Sequence, residues 1–250
     1  MSLILQSNSI NADNIHWQKA QYLQHAFQEI ALRNEYTRRG HVVRKWTKPV
    51  TIWIDHQVGD QAMHTELVSL HLNHLQSLTS HPIKLTSDRK SANLRLIFTR
   101  QADWGQQVKK LFGPEAAAAL HGAVCMANFR TNGHYEIIEA RVIIPVDQAR
   151  MHGKLVSCIV EELTQVMGLP NDSEEVYPSI FNDKTPEELL SGLDGLLLKM
   201  LYHPEIKPGM NEQQVRPVLK KIIHNWQQNG TITSAAKTVR RGALYPLLGY

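Results

Sequence analysis

Within the 250 residues, the stretch from Cys158 to Asp172 holds the side chains whose spacing suits shared chemistry best. Glu161 and Gln165 stand four apart, so on a helix they lie one above the other on a single face, within reach of one ion. Glu162 directly follows the first of them, where a carboxylate can take a proton from water held on such an ion. Gly168 follows as a stop to such a helix, and Asn171 stands three residues beyond it. Glutamate, glutamine and asparagine offer oxygen where zinc favours imidazole and thiolate. A hard divalent ion such as Ca²⁺ or Mg²⁺ therefore suits the set better, and the expectation is that no cofactor is held. The plain alternative is that Glu161 and Gln165 form the solvated face of an amphipathic helix.

Other chemistry is thinly represented. Thirteen histidines are present, and His121, His134 and His152 lie in neighbouring segments, yet none stands at helical ligand spacing with Glu161. There is no GxSxG nucleophile motif. Cys125 and Cys158 are too few for a metal cage and do not form a CxxC pair. Taken by themselves they are either two buried thiols or a bridge.

The elements that must position these residues can be read from periodicity. Residues 14–36 carry an amphipathic helix pattern, Val50 to Ile54 a first strand, and Met63 to Thr79 a second helix. Ile83 to Thr86 and Asn93 to Thr99 read as strands, and Glu115 to Leu120 as a short helix. Ala123 to Phe129 and Glu136 to Ile144 flank Asn132-Gly133, a hairpin signal. Met151 to Met167 reads as one helix stopped at Gly168. After a loop to Asp183, Thr185-Pro186-Glu187-Glu188 resembles a capping box opening a helix through Leu201. Glu212 to Gln227 forms a last helix. This order gives an α+β class, with a flexible N-terminus over 1–13, one domain over 14–230 and a loose basic tail over 231–250.

Composition narrows the function classes. With 42% hydrophobic and 20% charged residues the chain can bury a core and is not a disordered tract. The net charge of +4 is scattered, apart from Arg38-Arg39, Lys220-Lys221 and Arg240-Arg241, so nucleic acid is not an expected partner. The longest apolar run, Leu193 to Leu201, is interrupted by Asp194, Gly195 and Lys199, too short and too polar for a transmembrane span. Met1 to Leu5 lacks the basic and apolar regions of a secretory leader. The chain either stays in the cytoplasm or has lost a leader.

The register Glu161, Glu162, Gln165, Gly168, Asn171 resembles the signature of metzincin metalloproteases, with the three histidine positions replaced by Glu161, Gln165 and Asn171 and the catalytic glutamate matched by Glu162. Tyr177-Pro178-Ser179-Ile180-Phe181 is similar to the Met-turn of that group, with Phe181 where methionine is expected. A closer resemblance is to a bacterial family, domain of unknown function 2927. It is carried by Lys45-Trp46, Glu161 to Gln165, Gly168 to Asp172, Ser179 to Asp183, Leu201 to Pro204 and Pro208 to Met210, across about residues 14–225.

The resemblance implies a mixed twisted sheet over the signature helix, with additional helices at both ends. Its substrate cleft would be lined by Ala123, Val124, Cys125, Met126 and Ala127 on an edge strand and by Tyr177, Ser179, Ile180 and Phe181. It further implies a peptidase-like scaffold with a degenerate metal site that binds an extended peptide or protein in the cell envelope. The alternative is a divergent metal-dependent hydrolase using Glu162 as base. In that arrangement the hairpin would lie over the signature helix, so Cys125 and Cys158 would be able to pair, as an exported protein permits.

Overall fold

A computed structural model of the protein describes residues 16–33, 41–118, 120, 122–182, 184 and 187–250. Residues 1–15, 34–36, Arg38, Arg39, His121, Asp183, Thr185 and Pro186, singled out above, lie outside the described residues.

The N-terminal amphipathic stretch forms α1 (Ala20–Phe27) and runs on into a π-helical turn over Gln28–Leu32. Residues 29 to 32 are all buried there, a continuous run that a surface helix of regular period does not bury, and the wider turn accommodates it. Next come β1 (Lys45–Trp46), β2 (Val50–His56), α2 (Gln61–Thr79), β3 (Ile83–Leu85) and β4 (Leu94–Thr99). They are followed by α3 (Gln101–Phe112), α4 (Pro114–Ala118), β5 (Met126–Thr131) and β6 (Glu136–Pro145).

The six strands form one sheet in the order β1, β6, β4, β2, β3, with β5 paired to β6. All these pairings are parallel except β5 with β6, the hairpin expected from Asn132-Gly133. Asn132 organises the turn, its Oδ1 accepting from the backbone N–H of His134 and Glu136. Among the described residues β5 has a strand partner on one side only, so it is an edge, running from Met126 rather than Ala123.

Alternation along β6 sorts its side chains between two cores. Ala140, Val142 and Ile144 enter the main core, while Ile143 joins Ile97, Met126, Trp104 and Val108 beneath α3. The mixed sheet with helices on its faces is an α+β arrangement.

The single helix expected from Met151 to Met167 is two. Val146–Met151 forms α5 and Leu155–Gln165 forms α6, separated at His152-Gly153-Lys154, where Gly153 takes φ +67° and reverses the chain. The next helix, α7, opens at Gly192 and runs to Leu201, well after the expected start at Thr185. Its capping box is Ser191 with Asp194: the serine Oγ accepts from Asp194 N–H, and the carboxylate accepts from Ser191 N–H. Glu187 and Glu188 precede it in irregular backbone.

Beyond α8 (Glu212–Gln228) the expected loose tail is structured. It forms α9 (Ala235–Val239) and α10 (Leu244–Leu247), with Ile232, Ala235, Val239, Leu244 and Tyr245 buried in the main core. The apolar residues there are spaced to reach one surface, which their basic neighbours obscure in the sequence.

Cys125, just ahead of β5, and Cys158, within α6, are joined by a disulfide with 5.9 Å between their Cα atoms. The bond ties the sheet edge to the helix carrying Glu161 and Glu162, and it closes a loop across 33 positions of sequence. Restricting an unfolded chain over such a loop is worth about 3–4 kcal/mol. Replacing both cysteines with alanine is therefore expected to lower the unfolding free energy by about that amount in urea titrations under oxidising conditions. Reductant should bring the unchanged protein to the same level and leave the variant unmoved.

Candidate functional site

Helix α6 reaches its position because its apolar residues face the main core: Leu155, Cys158, Ile159, Val160 and Leu163 are all buried. Its polar residues divide. Glu162 is buried at 5% exposure, and Glu161 and Gln165 are half-buried one turn apart. The helix ends inside the protein, where its last carbonyls need partners. Trp46 Nε1 donates to Val166 O at 2.8 Å and the Tyr202 hydroxyl to Met167 O at 2.9 Å. Lys45, beside Trp46, makes the equivalent bond to the end of α7, its Nζ donating to Leu201 O at 2.9 Å. Burial, followed by the charge of Lys207, lowers the Lys45 ammonium to about 8.

Gly168 makes the turn itself. Its φ is +113°, and a Cβ there would stand 2.0 Å from the backbone oxygen of Arg44. Past it, Gln165 Nε2 donates to Asp172 Oδ1 at 2.9 Å, linking the helix directly to the following loop. Asn171 turns away from this pair, its Nδ2 donating to Asp172 O at 2.9 Å.

The loop over 173–182 closes on itself. Ser173 N–H donates to Phe181 O, and Asn182 Nδ2 donates to the carbonyls of Glu174 and Val176. The Tyr22 hydroxyl of α1 donates to Tyr177 O at 2.9 Å and accepts from Tyr177 N–H at 2.7 Å. The peptide bond between Tyr177 and Pro178 is cis.

Beneath this loop lies a buried carboxylate. Asp194 Oδ1 accepts from Ser179 Oγ at 2.6 Å, and its Oδ2 accepts from Ile180 N–H at 3.1 Å and Ser191 N–H at 2.7 Å. Desolvation outweighs these donors and raises Asp194 to about 6.

The residues expected to line a cleft are thus split. Ser179, Ile180, Phe181 and Met126 are buried, the serine hydroxyl committed to Asp194, while Tyr177 is exposed and Ala123, Val124, Cys125 and Ala127 are half-buried at the edge. His134 sits at the hairpin turn and His152 between α5 and α6, and neither belongs to a group of metal-ligating side chains among the described residues.

One supporting residue was not apparent in the sequence. His71, in α2, meets α6 through Nε2 and Thr164 Oγ1 at 3.1 Å. The threonine hydroxyl gives its hydrogen to Val160 O, so the imidazole Nε2 must be the donor, leaving Nδ1 bare. Burial, with His74 nearby, lowers His71 to about 3, and burial lowers His74 to about 4. The histidine spacing in α2 is visible in the sequence, but its partner is 93 residues away. The box Ser191 to Asp194 was legible, and was hidden only by the competing pattern at Thr185.

A family model described as Protein of unknown function (DUF2927) matches residues 20–221. No curated protein and no solved structure matches.

Two predictions arise from this geometry. Gly168→Ala must both relieve the clash with Arg44 O and hold an unfavourable φ, and is expected to cost about 3 kcal/mol or more in denaturant unfolding. The second concerns pH. A histidine lowered in the folded state gives stability that is full above 6.5 and is lost as pH falls toward its folded value. Asp194, raised from 3.8 to about 6, acts oppositely: its contribution is full below 3.8 and lost as pH rises through 6. By pH 4.5 each histidine withdraws roughly 2–3 kcal/mol while Asp194 returns roughly 2, so stability falls. Urea midpoints at pH 7, 5.5 and 4.5 should decrease in that order; a rise toward acid would contradict the assignment.

Proposed function

We propose, from the premise that the chain belongs to the DUF2927 family, that it is a metzincin-like scaffold in the cell envelope which binds an extended peptide or protein segment without cleaving it. The observation that carries this is the Gln165 to Asp172 hydrogen bond across the Gly168 turn. In a metalloprotease of that type an ion joins the second ligand on the helix to the third in the loop. Here a direct hydrogen bond makes the connection from helix to loop, and Asn171 is engaged with the backbone. With oxygen donors alone, a Lewis acid strong enough to activate water has little to hold it.

The sequence of elements supports the likeness. From β2 onward, strand, helix, two strands, an antiparallel edge strand, a further strand and α6 occur in that order, with α3 and α4 set before the edge strand and α5 before α6. An edge strand accepts a further strand through its backbone, and alternate side chains then read the ligand. On β5, Asn128 and Arg130 are exposed, Arg130 paired with Glu139 of β6, and would meet such a ligand. The disulfide holding this edge to α6 suits an oxidising compartment, which supports the envelope location.

Selection of peptides on the purified, oxidised protein, followed by hydrogen exchange, tests the proposal. Protection is expected over residues 126–131, with the bound peptide recovered intact. A buried Glu162 also fits the alternative of a divergent hydrolase with that residue as base. Peptide cleavage that disappears in a folded Glu162→Gln variant would establish the hydrolase and refute the non-catalytic scaffold.

A further inference from the structure

Away from the signature positions, three metal-ligating side chains converge from two distant parts of the chain. His25 and Glu29 stand one turn apart where α1 passes into its π-helical turn, and Glu175 comes from the loop that follows Gly168. One ligand atom of each lies within 4.8 Å of the others, the only such group of three or more among the described residues. His25 Nε2 and Glu175 Oε2 are 3.2 Å apart. That is close to the roughly 3.4 Å edge of a tetrahedron with metal bonds of about 2.0–2.1 Å. The remaining separations, to Glu29, are within 4.8 Å and close as the exposed His25 and Glu175 side chains shift toward it.

The group is also partly built. Glu29 is a buried carboxylate, its side chain 6% exposed, and Arg33 pairs with its Oε2 at 2.8 Å. A carboxylate accepts at both oxygens, so this pair orients Glu29 as an outer partner orients a ligand and leaves it capacity for an ion. The carbonyl of Glu175 lies 3.2 Å from the Tyr22 hydroxyl, whose one hydrogen it shares with the nearer Tyr177 O. The side chains of Glu175 and His25 are 72% and 43% exposed, so an ion can enter and the glutamate can swing to meet it.

We infer that His25, Glu29 and Glu175 form a binding site for a divalent transition ion, Zn²⁺ among the available chemistries, that clamps α1 to the loop carrying Tyr177. One neutral imidazole and two carboxylates match the ligand types and the charge of Zn²⁺ with a fourth position open, whereas Ca²⁺ and Mg²⁺ prefer oxygen throughout. The site is separate from Glu161, Gln165 and Asn171 and stands whether or not the peptide-binding proposal holds. Its role is to fix the loop, since an ion there crosses the same gap that Tyr22 bridges.

Chelator-treated full-length protein titrated with ZnCl₂ by calorimetry, with circular dichroism to follow unfolding, tests this. One equivalent should bind, and saturation at a hundredfold excess over Kd should raise Tm by about 5 °C or more. His25→Ala and Glu175→Ala alter exposed side chains and should retain the fold spectrum while weakening zinc tenfold or more; CaCl₂ should not substitute. Absence of binding, or binding indifferent to both variants, overturns the site. Zinc lost in Glu161→Ala yet kept in His25→Ala would assign the ion to the signature helix, overturning both this site and the non-catalytic proposal. Zinc lost in His25→Ala together with peptide cleavage dependent on Glu162 would uphold the site and remove only the non-catalytic proposal.

Discussion

A helix that ends inside a protein leaves carbonyl groups which water cannot reach, and the end of α6 is such a place. Its solution organises much of the molecule. Trp46 from the first strand and Tyr202 from the end of α7 each bring a donor to it, and Gly168 passes so close to Arg44 that no side chain fits. Three separated segments are thereby committed to one point. The hydrogen bond from Gln165 to Asp172 then spans that turn.

The same economy appears in the charged and polar groups placed in the core. Asp194 is costly to desolvate, yet it satisfies the start of α7 and the turn at Ser179-Ile180 with one carboxylate. Ser179, Ile180 and Phe181 consequently act as foundation to the loop, and Tyr177 is the residue of that stretch which meets solvent. His71 serves α6 from α2 with a neutral imidazole. Neither group is positioned for proton transfer to a ligand; each meets a backbone or hydroxyl partner within the protein.

The disulfide makes a mechanical unit of the edge strand and α6. Backbone atoms at a sheet edge and polar side chains on a neighbouring helix are held in fixed relation. On the proposed reading, the difference between a protease and a binding scaffold lies in a few side chains. An imidazole presents a lone pair to zinc, whereas an amide already bonded to Asp172 presents a hydrogen-bonded strut.

By itself the sequence determined the strands Val50 to Ile54 and Leu94 to Thr99, the Asn132-Gly133 hairpin and the stop at Gly168, because each rests on local periodicity or on a backbone conformation few residues adopt. It also determined that Glu161 and Gln165 share a helix face. Tertiary structure decided which of two capping patterns opens α7, since Asp194 is required both by Ser191 and by a turn fourteen residues earlier. It folded the basic tail onto the core, where burial of Val239 and Leu244 outweighs the polarity of their neighbours. And it decided that Gln165 meets Asp172, that Cys125 meets Cys158 and that His25 meets Glu175, because such pairings depend on where distant segments come to rest and leave no periodic trace in the chain.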